Sequence, residues 1–162
     1  MFGFLKKKKQ ADSKNQLLAV ADGKVIPMED VKDPVFSDKL MGDGVAVVPA
    51  GTTVVAPCAG KISMIAETGH AFGMECENGL ELLVHIGIDT VSLGGKGFSV
   101  LVKADDTVAA GTPVIIFDRA VMDEAGLDMT IPMVVLENGG KQVEMHTPAE
   151  AKAGVTVVME CK

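Results

Sequence analysis

The chain has 162 residues, 48% of them apolar and 23% charged, which is the length and composition of one globular domain able to bury a core. Its formal charge is −7 even with the four consecutive lysines Lys6–Lys9 counted, so a phosphate backbone would be repelled and nucleic acid is not an expected partner. Cys58, Cys76 and Cys161 are widely spaced and form no CxxC pair, which suggests neither a disulfide framework nor a thiolate zinc site and points to a reducing cytosol. No apolar run is long enough to span a bilayer, and the N-terminal apolar residues precede the lysines, the reverse of a secretory signal.

Residues 1–15 differ in composition from the rest of the chain, with Phe2, Phe4 and Leu5 beside Lys6–Lys9 and then a polar stretch. They read as a flexible basic tail. One reading is a solvated leader; the other is weak attachment to an anionic lipid surface, the apolar residues dipping in while each lysine contributes about 1 kcal/mol. Residues 16–162 form the domain. Here short Val, Ile and Leu runs alternate with Gly, Pro, Asn and Asp, the punctuation of an all-β sandwich or barrel. The runs are Gly44–Val48, Val54–Ala56, Leu80–Ile88, Val114–Phe117 and Val155–Met159. The best helix is short, Arg119 to Ala125, with Asp118 as N-cap and Gly126 as stop. Short stretches recur, such as Ala21-Asp22-Gly23-Lys24-Val25 with Cys58-Ala59-Gly60-Lys61-Ile62, as a sandwich of duplicated β units would require.

Asn78-Gly79 lies between two β-prone runs and signals a two-residue type I′ hairpin. Without a bulge, that turn sets Cys76 opposite Glu81, Met74 opposite Leu83, Phe72 opposite His85, His70 opposite Gly87 and Thr68 opposite Asp89. Leu80, Leu82, Val84, Ile86 and Ile88 then share the core face, so His85 points outward. Phe72, Met74 and Leu83 would join it there as an apolar patch of the kind that marks docking surfaces, with Gly87 leaving the space beside it uncovered. Glu75 would face the core, an awkward place for a carboxylate. His70 and His85 become diagonal neighbours, roughly 7–8 Å apart at the backbone. A largely neutral imidazole offers one lone pair to phosphorus without a separate base, and His70 and Thr68 could supply donors to the phosphoryl oxygens. The same pair would equally suit a two-histidine zinc site completed by a carboxylate or water. His146 reads as incidental.

The run Gly79-Leu80-Glu81-Leu82-Leu83-Val84-His85-Ile86-Gly87-Ile88-Asp89-Thr90-Val91 resembles the signature of enzyme IIA domains of the bacterial sugar phosphotransferase system, glucose family. The likeness extends through Val35-Phe36-Ser37-Asp38-Lys39, Met41-Gly42-Asp43-Gly44-Val45-Ala46, Val55-Ala56-Pro57-Cys58-Ala59-Gly60, Thr68-Gly69-His70-Ala71-Phe72 and Gly95-Lys96-Gly97-Phe98. It implies an antiparallel β-sandwich with an internally duplicated, hybrid barrel-sandwich motif. It also implies a transferase with a phosphohistidine intermediate on His85, formed from phospho-HPr and discharged to a cysteine of the IIB domain of a sugar permease. His70 would stabilise the phosphoryl group and Thr68 would hydrogen-bond His70. Partners would dock on Val35, Phe36, Leu40, Met41, Phe72, Leu83, Gly87 and Val91, with Asp33 and Asp89 at the edge. No cofactor is required, zinc at His70 and His85 being adventitious or regulatory. The protein would be cytoplasmic, peripheral to the inner membrane face through its tail, and open to regulatory target proteins. Zinc-dependent hydrolysis and carriage of biotin or lipoate remain the alternatives, the latter lacking a lysine at the best hairpin tip.

Overall fold

A computed structural model describes residues 14–162; all but the last two positions of the basic tail lie outside the described residues. Thirteen strands follow in order: β1 Gln16–Leu18, β2 Gly23–Pro27, β3 Gly44–Pro49, β4 Thr53–Val55, β5 Gly60–Ile65, β6 Ala71–Cys76 and β7 Glu81–His85. The remainder are β8 Phe98–Val100, β9 Thr107–Val108, β10 Pro113–Phe117, β11 Ile131–Glu137, β12 Val143–Met145 and β13 Val157–Cys161. They pair antiparallel into a seven-stranded sheet, β2-β3-β11-β7-β6-β5-β9, and two three-stranded sheets, β1-β13-β12 and β4-β10-β8. The expected antiparallel sandwich with only short helices is what forms.

The two helices are α1 Pro34–Ser37 and α2 Arg119–Glu124. In α2 the Asp118 carboxylate accepts from the Ala120 and Val121 amides, and Gly126 follows at φ +70, the stop foreseen from sequence. Helix α1 was not expected, although Asp33-Pro34 is a start signal: Asp33 caps the Val35 amide and proline fills the first turn.

Two apolar clusters divide the interior. The larger joins the sheets through Phe72, Met74, Leu82, Val84 and Ile86, among others. The smaller comprises Met28, Val31, Phe36, Ala46, Ile88 and Val134, with Ile26, Met41 and Leu83 packed against it. It lies on the other face of the seven-stranded sheet, where the segment Met28–Met41 covers β2, β3, β11 and β7, so Ile131–Val135 of β11 is buried on both faces.

The hairpin register differs from the sequence expectation by one residue. Ala71 pairs with His85, Phe72 with Val84, Gly73 with Leu83 and Met74 with Leu82. The turn has three residues: the Gly79 amide donates to Cys76 O, the Cys76 amide donates to Leu80 O, and only Gly79 takes positive φ. This is the type I turn followed by a left-handed glycine, not the type I′ turn. Asn78 decides the outcome, because its Oδ1 accepts from the Leu80 amide and its Nδ2 donates to Lys14 O. The shift sends Phe72, Met74 and Cys76 into the core and brings Glu75 out to solvent.

A second correction concerns the cysteines. Cys58 and Cys76 meet sulfur to sulfur as a disulfide with Cα atoms 6.3 Å apart, leaving Cys161 as a buried free thiol. Chain spacing could not reveal this contact, because strand pairing creates it: Cys76 lies opposite Gly60 in β5, two residues beyond Cys58.

Candidate functional site

His85 is the last residue of β7 and shares its outward face with Leu83. The chain then turns sharply. Gly87 has φ +83, and a Cβ there would stand 2.5 Å from Thr90 Cγ2 and 2.8 Å from Met129 Sδ, so only glycine fits. The turn is tied by the Thr90 hydroxyl, which donates to Ile86 O at 2.7 Å. It aims the Gly87 carbonyl back at the imidazole, 2.7 Å from His85 Nδ1. A carbonyl only accepts, so Nδ1 carries the proton and Nε2 keeps its lone pair in the neutral ring.

His70 immediately precedes β6, and its carbonyl accepts from the Ile86 amide at 2.7 Å, which brings the two histidines together past the end of the paired strands. The rings meet edge to face with centroids 5.1 Å apart. Thr68 Oγ1 lies 2.6 Å from His70 Nδ1. When the hydroxyl donates, the His70 proton resides on Nε2, free to bond an oxygen. Beneath His85 lies Phe36, centroids 5.3 Å apart and only 5% exposed.

Burial pushes both histidine pKa values below the ordinary 6.5. For His70 the neighbouring His85 adds to the fall; for His85 the Gly87 hydrogen bond and the charges of Asp33 and Asp89 oppose it. Both rings are therefore neutral near pH 7, the form a nucleophilic imidazole requires.

The charges of Asp33 and Asp89 reach His85, half-buried Met41 and Leu83 pack in the cluster that holds Phe36, and Val35, Leu40 and Val91 are exposed. The structure brings Thr68, His70, His85, Gly87 and Phe36 into contact, and several residues named from sequence take other roles than expected. Phe72 is fully buried in the main core, Phe36 is a floor under His85, and Gly87 is buried and serves through its carbonyl. That carbonyl contact was not foreseen; its sequence signal was a glycine two positions after the histidine. Zinc would find two imidazole nitrogens here, yet among the described residues no three His, Cys, Asp or Glu side chains converge to hold a metal.

Comparison with known proteins matches residues 15–140 to the family described as phosphoenolpyruvate-dependent sugar phosphotransferase system, EIIA 1. The glucose-specific EIICBA component of Streptococcus pneumoniae is 49% identical over 148 residues, 90% of this chain, which spans only 20% of that protein. The glucose-specific EIIA component of Haemophilus influenzae is 41% identical over 147 residues, 91% of this chain and 89% of that one. The solved structure of glucose permease IIA from Mycoplasma capricolum superposes with a TM-score of 0.82 at 36% identity, covering 89% of this chain and 94% of the other. The chain belongs to the EIIA 1 family of the phosphoenolpyruvate-dependent sugar phosphotransferase system, a transferase component of sugar uptake.

Proposed function

We propose that His85 carries the phosphoryl group on Nε2, taking it from the phosphohistidine of HPr and giving it to a cysteine on the IIB domain of a sugar permease. The observation that carries this reading is the Gly87 carbonyl on His85 Nδ1, which leaves the Nε2 lone pair unprotonated beside a second imidazole. The Nε2–phosphorus bond forms as the donor's nitrogen–phosphorus bond breaks, with little other chemistry asked of the protein than positioning and charge stabilisation. His70 Nε2–H donates to an equatorial oxygen, its tautomer set by Thr68. As the His85 ring gains positive charge, the Gly87 carbonyl, Asp33 and Asp89 stabilise it. In the onward step the thiolate sulfur attacks phosphorus and His85 leaves as neutral imidazole.

Val35, Leu40, Met41, Leu83 and Val91 form the apolar docking ground, with Asp33 and Asp89 facing basic partner residues; Phe36 supports the ring from below, and Phe72 leaves the docking set. Regulatory target proteins would use the same ground. Residues 16–162 act as the phosphocarrier domain in the cytoplasm, and residues 1–15 touch the inner membrane face through their apolar and lysine side chains. Among the described residues, no helix is long and apolar enough to cross a membrane. Zinc is not required in this scheme.

The test is to incubate the protein with phosphoenolpyruvate, enzyme I and HPr and to look for an acid-labile mass gain of one phosphate. His85→Ala abolishes it; full labelling of that variant refutes the assignment.

A further inference from the structure

Cys58 and Cys76 are separated by 18 residues, and neither takes part in the chemistry assigned to the histidines. Cys58 lies in the loop between β4 and β5, and Cys76 ends β6. Since Ala71 is the β6 residue opposite His85, the cysteine pair sits at the other end of that strand, about 17 Å away at the strand's rise per residue. Both side chains are nearly buried, at 5% and 8% exposure. They are not equally placed, however. Cys58 forms part of the wall of a cleft of about 200 Å³, with apolar Leu18, Ala59 and Ala110 beside it and the charged Lys14 and Glu77 at the same opening. Cys76 does not line this cleft. The third cysteine, Cys161, is 3% exposed, with Asn15 Oδ1 3.9 Å from its sulfur.

We infer that Cys58 and Cys76 form a reversible redox latch, reached through the cleft at Cys58, that locks the β4–β5 loop to the histidine-bearing hairpin. The oxidant is a low-molecular-weight disulfide such as oxidised glutathione. The Cys58 thiolate attacks one of its sulfurs, forming a mixed disulfide and releasing one glutathione thiolate; the Cys76 thiolate then attacks Cys58 Sγ and expels the second. Two electrons and two protons leave the protein with the glutathione. Reduction runs the same steps backwards, beginning with attack by an incoming thiolate on Cys58 Sγ, the sulfur that faces the cleft. In a reducing compartment the pair rests as a dithiol and closes when the thiol pool is oxidised. Closure restricts the unfolded chain and holds the far end of the hairpin.

The test uses the full chain in buffers poised with reduced or oxidised glutathione, followed by alkylation under denaturing conditions and mass spectrometry. Three alkylated cysteines are expected in the reduced buffer, and one, Cys161, in the oxidised buffer. The oxidised protein should lose the mass of two hydrogen atoms, and excess reduced thiol should restore it without unfolding. Three thiols persisting in the oxidised buffer, a stable glutathione adduct, or a bond that native protein will not release each overturn the proposal. Oxidation should raise the melting temperature by about 5–10 °C, a gain lost in Cys58→Ser and Cys76→Ser and retained in Cys161→Ser. A brief pulse of oxidised glutathione separates the roles. Cys76→Ser should trap the adduct on Cys58, whereas Cys58→Ser should leave Cys76 unlabelled; equal labelling of the two variants would overturn Cys58 as the point of access.

Discussion

His85 closes β7 and His146 follows the last residue of β12, and each ring has one nitrogen engaged. At His85 the engaged nitrogen is Nδ1, held by the Gly87 carbonyl at 2.7 Å, and the ring meets a second imidazole. At His146 it is Nε2 itself that meets the Glu160 carboxylate, at 3.2 Å. His85 is half-buried over Phe36; the His146 and Glu160 side chains are 36% and 43% exposed. Among the described residues, His85 thus has three things that His146 lacks: a carbonyl on Nδ1, an aromatic floor and a neighbouring imidazole. Changing these one at a time tests the comparison.

Removing the partner donor has the largest effect after loss of His85 itself. His70→Ala should still accept phosphate, because Gly87 continues to orient His85, but onward transfer to IIB should fall by about 10²-fold as one donor to the transferring group disappears. Rapid-quench measurement of both half-reactions separates the two steps, and unimpaired onward transfer would refute the supporting role.

Moving the carbonyl comes next. Gly87→Ala forces a β-carbon into Thr90 and Met129 at a left-handed φ, and should cost about 2–4 kcal/mol in urea unfolding while also slowing acceptance. Gly126 also has positive φ, +70, but a β-carbon added there would meet nothing within 4 Å. Gly126→Ala should therefore cost only about 1 kcal/mol and leave acceptance alone. If the two glycines behave alike, packing at Gly87 is not what shapes the site.

The parts of the molecule also differ in how legible they were. The β punctuation, the α2 capping pattern and the outward direction of His85 all follow from local rules, since alternation and caps are set by neighbours in sequence. The register does not. Asn78-Gly79 is compatible with two turn types, and the choice rests on the Asn78 bonds to Leu80 and to Lys14, the second of them 64 residues away. One residue of slip exchanged the faces of Phe72, Met74 and Glu75, yet the histidine pair survived because His70 stands beyond the paired residues of β6. Phe36 lies 49 positions before His85, and the Cys58–Cys76 contact depends on the β5–β6 pairing. Tertiary neighbours of this kind leave no periodic trace in the chain.

The protonation of the pair gives a smaller, pH-dependent effect. Both histidines have folded-state pKa values below 6.5, so between those values and 6.5 the unfolded chain binds more protons than the folded one. Their neutral, buried form contributes stability fully above 6.5, and it is lost as the pH falls below that point. Urea midpoints measured from pH 7.5 down to about 5 should drop less steeply in His70→Gln/His85→Gln than in the parent. Phosphoryl acceptance by the parent should likewise persist below pH 6.5 instead of halving there. A halving at 6.5 would show that burial does not keep His85 neutral.

His146→Gln should change least, and the reason sharpens the contrast. The His146–Glu160 contact is largely solvated, and such pairs are worth about 0–1 kcal/mol. Glu160 also stands directly opposite Glu144 in the β12–β13 ladder and opposite Gln16 in the β1–β13 ladder, so His146 relieves a like-charge pairing on an exposed face. Glutamine can still donate to Glu160 through its amide, which keeps the unfolding free energy within about 0.5 kcal/mol of the parent. Acceptance from phospho-HPr should be unchanged, since among the described residues the His146 ring has no second imidazole beside it to hold a phosphoryl oxygen, and its Nε2–H is spent on the Glu160 carboxylate. A measurable loss of labelling in His146→Gln would mean that this second histidine reaches the phosphoryl path, and that the carbonyl on Nδ1 is not what distinguishes His85.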